Sequence, residues 1–157
     1  MTEEQFCEKY ERYKNSVFAV IYNYVQNIAD AEDILQDVFL KFYSSETEFS
    51  EEEHVKAWLL RVGINASKNH LRMVQNRRSA VLDETLLYDE ENPEYELLSY
   101  VQRLPEKYRI PLHLYYYESY TVKEIAQILE MPQATVKIRL KRGREQLGKI
   151  LVKEEWL

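Results

Sequence analysis

The apolar residues of this chain recur at helical spacing, and this periodicity constrains the fold more than any other feature of the sequence. Two segments each carry one apolar stripe, made of Ile34, Leu35, Val38, Phe39 and Phe42 in the first and of Val55, Trp58, Leu59, Val62 and Ala66 in the second. The chain has only three glycines among 157 residues, and no alternating apolar and polar run is bounded by turn signals. Because both features disfavour strands, we predict an all-α fold.

One stretch interrupts the helical pattern and predicts a domain boundary. Residues 76–96 lose clear periodicity, switch from basic to acidic, and include Asn92-Pro93, which is typical of a helix N-cap followed by proline at the first helical position. We therefore predict two small helical bundles joined by a flexible linker, with the first over residues 1–76, the linker over 77–92 and the second over 93–157.

The sequence lacks the patterns of export, membrane insertion and disulfide bonding. Its first residues are acidic where a secretory signal is basic and then apolar, and its longest clean apolar run, residues 17–22, is too short to span a bilayer. Cys7 is the only cysteine, which excludes an internal disulfide and a zinc site of several cysteines. We therefore expect a soluble cytoplasmic protein with no metal or other cofactor.

The formal net charge of -6 is divided into zones along the chain. Residues 30–53 carry -8, whereas residues 54–82 carry +6 and residues 132–157 carry +4. A partner's phosphates respond to the local field over about 10 Å rather than to the net charge. Two basic stretches separated by acidic ones favour a protein that contacts nucleic acid at two places and another partner at its acidic faces. Each block taken alone is also typical of a solvated helix face.

Residues 120–147 have the pattern of two helices separated by a short break. Thr121 and Glu124 have capping-box spacing at the start of the first helix, where the threonine hydroxyl satisfies an orphan backbone N–H and the glutamate reaches back. Pro132 restarts the chain, because proline fits the first turn of a helix but cannot continue a preceding one. We therefore predict a helix-turn-helix in the second bundle, whose first helix buries Ile125, Ala126 and Leu129.

The second helix of this motif has an apolar side and a basic side. The residues predicted to face inward are Val136, Leu140, Gly143 and Leu147. The residues predicted to face solvent or to flank that side are Lys137, Ile138, Arg139, Lys141, Arg142 and Arg144. A recognition helix needs this geometry, since cations meet phosphates and Arg or Lys reads guanine edges in the major groove. The alternative is a basic amphipathic helix that packs for stability alone.

Three segments together resemble the extracytoplasmic-function sigma factors of bacteria. They are DAEDILQDVFLKFY, VKAWLLRVGINASKNHLR and LPEKYRIPLHLYYYESYTVKEIAQILEMPQATVKIRLKRGREQL, and they occur in that family's order and spacing. The resemblance implies two helical domains on a flexible linker, forming a dissociable subunit that binds core RNA polymerase and directs promoter-specific initiation of transcription. It also implies an anti-sigma factor as a regulatory partner.

The resemblance implies a different contact for each segment. The first segment docks on the clamp helices of the polymerase beta-prime subunit, which implies polymerase contacts for Asp33, Gln36 and Asp37. The second segment binds the minus-ten promoter element: residues 49–54 form a loop that captures an unstacked base, and the helix after it contacts DNA through Lys56, Arg61, Asn65, Lys68, Asn69 and Arg72. The last helix reads the minus-thirty-five element, with Lys137, Ile138, Lys141 and Arg142 near base edges and Arg139 and Arg144 near phosphates.

The sequence departs from the family pattern at a few positions. Glu51 to Glu53 make the minus-ten loop more acidic than the family pattern. Glu130 and Ser119 stand where turn glycines are usual. Gly143 replaces a small helix former at an expected cost of about 1 kcal/mol. The departures at Glu130, Ser119 and Gly143 predict a slightly looser C-terminal module that keeps its contact residues.

Two other classes of protein fit parts of the sequence. A stand-alone helix-turn-helix regulator would need a dimerisation surface, for which the run Tyr115 to Tyr117 is the candidate. A metal-dependent hydrolase would use the acidic helix, but the sequence offers no nucleophile and base pair, no phosphate-binding glycine loop and no complete metal set. The histidines His54, His70 and His113 are scattered along the chain. We therefore expect no enzymatic activity and no small-molecule substrate.

Overall fold

The computed structural model describes residues 1–49, 51–74 and 99–153, and every regular element in these ranges is helical. This confirms the predicted all-α fold. The chain divides into two compact units, Met1–Leu82 and Asp83–Leu157. Among the described residues, no helix is both long enough and apolar enough to cross a membrane. The predicted linker, including its Asn92-Pro93 signal for the next helix, lies outside the described residues.

The N-terminal unit contains three long helices: α1 (Glu3–Val25), α2 (Ile28–Ser44) and α3 (Glu52–Val74). Thr2 begins α1 with a capping box, in which its side chain accepts from the Gln5 backbone while the Gln5 side chain accepts from the Thr2 backbone. Asn27 begins α2 by accepting a hydrogen bond from the Asp30 backbone N–H at 2.9 Å. Both caps satisfy backbone donors that a helix start leaves unpaired.

The core of this unit draws on all three helices. The apolar stripe predicted for α2 is confirmed, because Ile34, Val38, Phe39 and Phe42 are buried and Leu35 is half-buried. These side chains pack with apolar residues of the neighbouring helices, among them Val17, Val20, Ile21, Leu59, Leu60 and Ile64. The burial of this stripe leaves the other side of α2 facing solvent.

The buried face of α3 differs from the prediction. Val55 and Leu59 are buried as expected, but Val62 and Ala66 are only half-buried. The helix instead buries Leu60, Gly63, Ile64 and Ser67. The physical reason is that α3 packs against both α1 and α2, so it buries a wider arc than one apolar stripe.

The C-terminal unit contains a helix-turn-helix preceded by a distorted helix. Its elements are a helical turn at residues 99–101, α4 (Glu106–Leu112), a π-helical turn (His113–Tyr117), α5 (Val122–Leu129) and α6 (Gln133–Lys153). Pro111 lies inside α4, where it has no N–H to donate, and the wider π turn follows directly. The core of the unit is formed by Leu104, Ile110, Leu112, Leu114, Ile125, Leu129, Val136 and Leu140.

Candidate nucleic-acid interface

The first helix of the helix-turn-helix is capped as the sequence predicts. The Thr121 hydroxyl accepts from the Glu124 backbone N–H at 3.1 Å, and the Glu124 carboxylate accepts from the Thr121 backbone N–H at 3.0 Å. Ile125, Ala126 and Leu129 are buried, which confirms the predicted inner face of α5. These contacts fix the start and the rotation of α5, and α6 packs against it.

The second helix, α6, presents a basic surface to solvent. Val136, Leu140 and Gly143 are buried on its inner side, and Leu147 is half-buried. On the opposite side the exposed residues are Lys137, Ile138, Lys141, Arg142 and Arg144, whereas Arg139 is half-buried at the flank. Ile138 is 49% exposed, which is unusual for an isoleucine and leaves it free to contact a base methyl group. We refer to these six residues as the α6 basic face.

One contact of the α6 basic face was not predicted from sequence. Arg144 Nη1 donates to the Tyr116 hydroxyl at 3.3 Å, although the two residues are 28 positions apart. Tyr116 lies in the π-helical turn and is 60% exposed, and its ring lies edge-on to that of Tyr115, with centroids 4.8 Å apart. The turn therefore brings exposed aromatic side chains next to a cation of the basic face.

The polar residues predicted on α3 divide into two groups. Asn65, Asn69 and Arg72 are exposed, as a DNA-contacting surface requires. Lys56, Arg61 and Lys68 are half-buried, and their contact with DNA stays a prediction. These three residues lie at the border of the wide buried arc of α3.

The loop before α3 rests on a cluster of aromatic rings. The Phe49 ring lies 6.1 Å from the Phe42 ring and 5.9 Å from the Trp58 ring, measured between centroids. The Trp58 ring also lies 5.8 Å from the Phe42 ring, and Trp58 is half-buried at the edge of the core, whereas the sequence predicts it on the buried stripe. The Phe49–Trp58 pair is edge-on, an arrangement that contributes about 0.5–1.5 kcal/mol beyond its burial, while the other two pairs are tilted. The loop is therefore anchored at Phe49.

The acidic helix α2 turns three polar residues to solvent. Asp33, Gln36 and Asp37 are exposed, and each is one or two positions from the buried Ile34 or Val38. Leu40 and Tyr43 continue the exposed surface towards the end of the helix, at 65% and 50% exposure. Sequence reasoning missed these two residues, although large apolar side chains on a polar helix face are a signal of a protein interface.

The histidines do not form a joint site. His70 Nε2 lies 3.1 Å from Asp30 Oδ2 and links α3 to α2, while His54 is exposed near Glu51. His113 is buried in the π-helical turn, and this burial lowers its pKa to about 4. Within the described ranges, no group of three His, Cys, Asp or Glu residues is arranged to hold a metal ion.

Two family models match the chain in the same order as its helical units. The model of sigma-70 region 2 matches residues 10–78, and the model of sigma-70 region 4 matches residues 95–147. Together they cover more than half of the chain. The first match contains the exposed acidic side of α2 and the polar residues of α3, and the second contains the α6 basic face.

This chain is similar to several sigma factors over most of their length. The RNA polymerase sigma-H factor of Pseudomonas aeruginosa is 30% identical, over 89% of this chain and 82% of the relative. The ECF RNA polymerase sigma-E factor of Haemophilus influenzae is 32% identical, over 87% of this chain and 82% of the relative. The sigma factor RpoE of Bartonella quintana, solved with the anti-sigma factor NepR, has the same fold, with a TM-score of 0.76 and 19% identity over 94% of this chain and 97% of that one.

The two matched regions distinguish a sigma factor from a stand-alone helix-turn-helix regulator. A stand-alone helix-turn-helix regulator accounts for the second region only, whereas a sigma factor accounts for both regions and for the exposed acidic helix. The chain belongs to the sigma-70 family, as an extracytoplasmic-function sigma factor that binds core RNA polymerase and directs promoter-specific initiation of transcription.

Proposed function

We propose that the two domains divide promoter recognition between them. Residues 1–76 bind core polymerase and the minus-ten element, residues 93–157 bind the minus-thirty-five element, and residues 77–92 tether the two domains. A tether turns the second contact into an intramolecular one, so two weak modules bind a correctly spaced promoter tightly.

The α6 basic face carries this proposal. Its cations project from a helix whose other side is buried, and a helix of this kind fits the major groove of B-form DNA. Lys137, Ile138, Lys141 and Arg142 are assigned to base edges. Arg139 and Arg144 are assigned to phosphates, because Arg139 is half-buried at the flank and Arg144 is held by Tyr116.

The surface of the N-terminal unit supports separate polymerase and DNA contacts. Asp33, Gln36 and Asp37 are assigned to the clamp helices of the beta-prime subunit, since their exposed carboxylates suit a protein surface and would be repelled by DNA. The minus-ten contacts are assigned to Asn65, Asn69 and Arg72, which are exposed, and to the half-buried Lys56, Arg61 and Lys68.

The net charge of -6 is part of the mechanism. Repulsion between the acidic chain and DNA opposes binding by the free protein, because phosphate contacts dominate nonspecific affinity. Polymerase covers the acidic helix and brings both basic surfaces to the promoter at once. Specific binding is therefore expected only in the holoenzyme.

The same function implies where the protein acts and what regulates it. A subunit of this kind is not an enzyme, and its work on the chromosome requires a cytoplasmic location. The Bartonella quintana RpoE structure contains the anti-sigma factor NepR. We extend a partner of that class to this chain, which would occupy polymerase-binding or DNA-binding surfaces until it is released.

Transcription by a reconstituted holoenzyme tests the proposal. Core polymerase with the purified chain is given a library of random promoter fragments, and sequencing of the transcripts identifies those that are used. We expect enrichment of two short elements at a fixed spacing and a gel shift of the selected promoter that requires polymerase. Equal binding of the same DNA by the free chain would contradict the tethered mechanism, and a lack of enrichment would contradict the proposed function.

A further inference from the structure

Glu52 is tied to α1, although it belongs to the acidic run of the minus-ten loop. Its carboxylate forms ion pairs with Lys9 Nζ and with Arg12 Nη1, the latter at 3.3 Å. The Tyr13 hydroxyl donates to the same carboxylate and lies 3.4 Å from the Glu52 backbone oxygen. Glu52 is the first residue of α3, so these contacts join the start of α3 to a helix 39 positions earlier in the chain.

The three partners of Glu52 form a prepared site on α1. They are spaced at i, i+3 and i+4, so they lie on one face of the helix. Tyr13 is buried, and the Lys9 side chain is only 20% exposed. Arg12 is held from its other side by Glu8 at 3.0 Å. A network in which the partners are already ordered holds a carboxylate better than an isolated surface ion pair does.

The neighbouring carboxylates differ from Glu52. All three glutamates are exposed, and the Glu52 side chain is 44% accessible, so the difference lies in their partners. Glu51 lies 3.9 Å from the exposed His54. Within the described part of the chain, no ion pair or hydrogen bond joins either residue to α1. The acidic run therefore contains one carboxylate that is paired with cations of α1, Glu52, and two that are not.

We propose that Glu52 is a positioning residue for promoter opening, which fastens the start of α3 and the loop before it to α1. This inference rests on the proposed role of residues 49–54 as the minus-ten loop. In the structure the last three of these residues, 52–54, already belong to α3, and Glu52 ties this first turn to α1. Phe49 is held separately by the aromatic cluster. Fixing these positions before an unstacked base arrives reduces the entropy lost on binding.

The proposal predicts that Glu52→Gln and Glu53→Gln, which remove the same charge, change promoter opening in opposite directions. If all three glutamates only repelled DNA, each change from Glu to Gln would strengthen promoter binding, because one negative charge is removed near phosphates. If Glu52 is an anchor, Glu52→Gln weakens promoter opening, whereas Glu53→Gln improves it because it removes a negative charge near phosphates. The sign of the effect therefore separates the two roles.

The experiment measures promoter opening by the holoenzyme with a fluorescent base analogue in the minus-ten strand. We expect Glu52→Gln to lower the equilibrium constant of opening by about three- to tenfold, the range that a partly exposed ionic network supports. Lys9→Gln is expected to show a similar loss. Lys14→Gln is the matched control on α1, because Lys14 pairs with Glu11 and not with the loop. Polymerase affinity, measured in parallel, is expected to change little.

Hydrogen exchange of the free chain gives a readout that does not depend on transcription. Faster exchange at the start of α3 in Glu52→Gln, with no change in Glu53→Gln, is expected from an anchor. Unchanged exchange in Glu52→Gln, or equal promoter opening by both variants, would overturn the proposal. Failure of the wild-type holoenzyme to open any promoter would instead contradict the proposed function, whatever the exchange data show.

Discussion

Gly143 of α6 lies directly against Leu112 of α4. A Cβ atom added at Gly143 would lie 2.9 Å from Leu112 Cδ1 and 3.2 Å from Tyr108 Cβ, both closer than ordinary carbon contacts. The two helices reach this separation only because residue 143 has no side chain. Gly143 is therefore a packing residue, and the sequence-based expectation that it simply costs helix stability omitted this contact.

The first prediction compares two glycines of the same helix. Gly148→Ala should stabilise the protein by about 1 kcal/mol, because alanine favours the helix and the added methyl group meets nothing within 4 Å. Gly143→Ala gains the same propensity but overpacks the contact with α4, so it should be less stable than Gly148→Ala by about 2 kcal/mol. Urea denaturation followed by circular dichroism measures both values. Equal stabilisation by the two changes would show that the contact is not close.

The second prediction concerns two non-glycine residues with positive φ. Ser119 has φ 60° and Glu130 has φ 55°, and both stand where the family pattern has turn glycines. The left-handed conformation costs a residue with a side chain about 1–2 kcal/mol. Glycine avoids this cost, but it loses more conformational entropy on folding, which offsets part of the gain. We expect Ser119→Gly and Glu130→Gly each to stabilise the protein by about 0.5–1 kcal/mol. Glu145→Gly, at an exposed position within α6, is the control and should destabilise it; stabilisation by all three would point to a cause other than backbone strain.

Features that depend on local sequence could be predicted. The sequence correctly predicts the start of α5 at Thr121 and Glu124, because a capping box depends only on residues three positions apart. The sequence also correctly predicts which side of α2 faces the core, because this helix buries a single apolar stripe. The solvent exposure of Asp33 and Asp37 follows from that orientation, while their role in polymerase binding stays a prediction.

Features set by tertiary contacts were not recovered. The inner face of α3 includes Gly63 and Ser67, which the search for apolar periodicity passes over, and only the packing of two partner helices explains their burial. The π-helical turn after Pro111 depends on how the chain accommodates a missing N–H. The link between Glu52 and Lys9 joins distant segments, and nothing in the local pattern of either indicates it.

The third prediction tests the polymerase contact on α2. Asp37→Arg reverses an exposed charge that we assign to the polymerase interface, so it should weaken binding of core polymerase by about a hundredfold or more. Glu4→Arg makes the same change at an exposed position of α1 and should have little effect. Fluorescence anisotropy of the labelled chain with core polymerase measures both affinities. Similar affinities for the two variants would remove Asp37 from the interface.

The fourth prediction separates base contacts from phosphate contacts on α6. Arg142→Ala should lose about 1–3 kcal/mol of discrimination at one base pair of the minus-thirty-five element. Arg144→Ala should weaken all sequences about equally and reduce the slope of log affinity against log salt concentration by about 1. Holoenzyme binding to the selected promoter and its single-base variants, at several salt concentrations, distinguishes these results. If both variants lose affinity uniformly, the assignment of Arg142 to a base edge is wrong.

The fifth prediction concerns the dependence of stability on pH. His113 is buried against the Tyr117 ring, with centroids 4.8 Å apart, and desolvation lowers its pKa from 6.5 to about 4 despite the opposing charge of Glu118. Between these two values the unfolded chain binds a proton that the folded chain does not. Stability therefore falls as the pH decreases through this window, by up to about 1.4 kcal/mol per pH unit from this group.

Replacing the buried imidazole should remove this contribution. His113→Phe keeps a flat ring beside Tyr117 but has no proton to bind, so its free energy of unfolding should depend less steeply on pH between 6.5 and 4 than that of the wild type. His54→Phe changes an exposed histidine and should retain the wild-type slope. Urea denaturation at several pH values measures the slopes, and subtracting the control removes the titration of carboxylates common to all variants. Parallel curves for wild type and His113→Phe would mean that His113 is protonated in the folded chain, which would require a partner for its buried Nε2 atom.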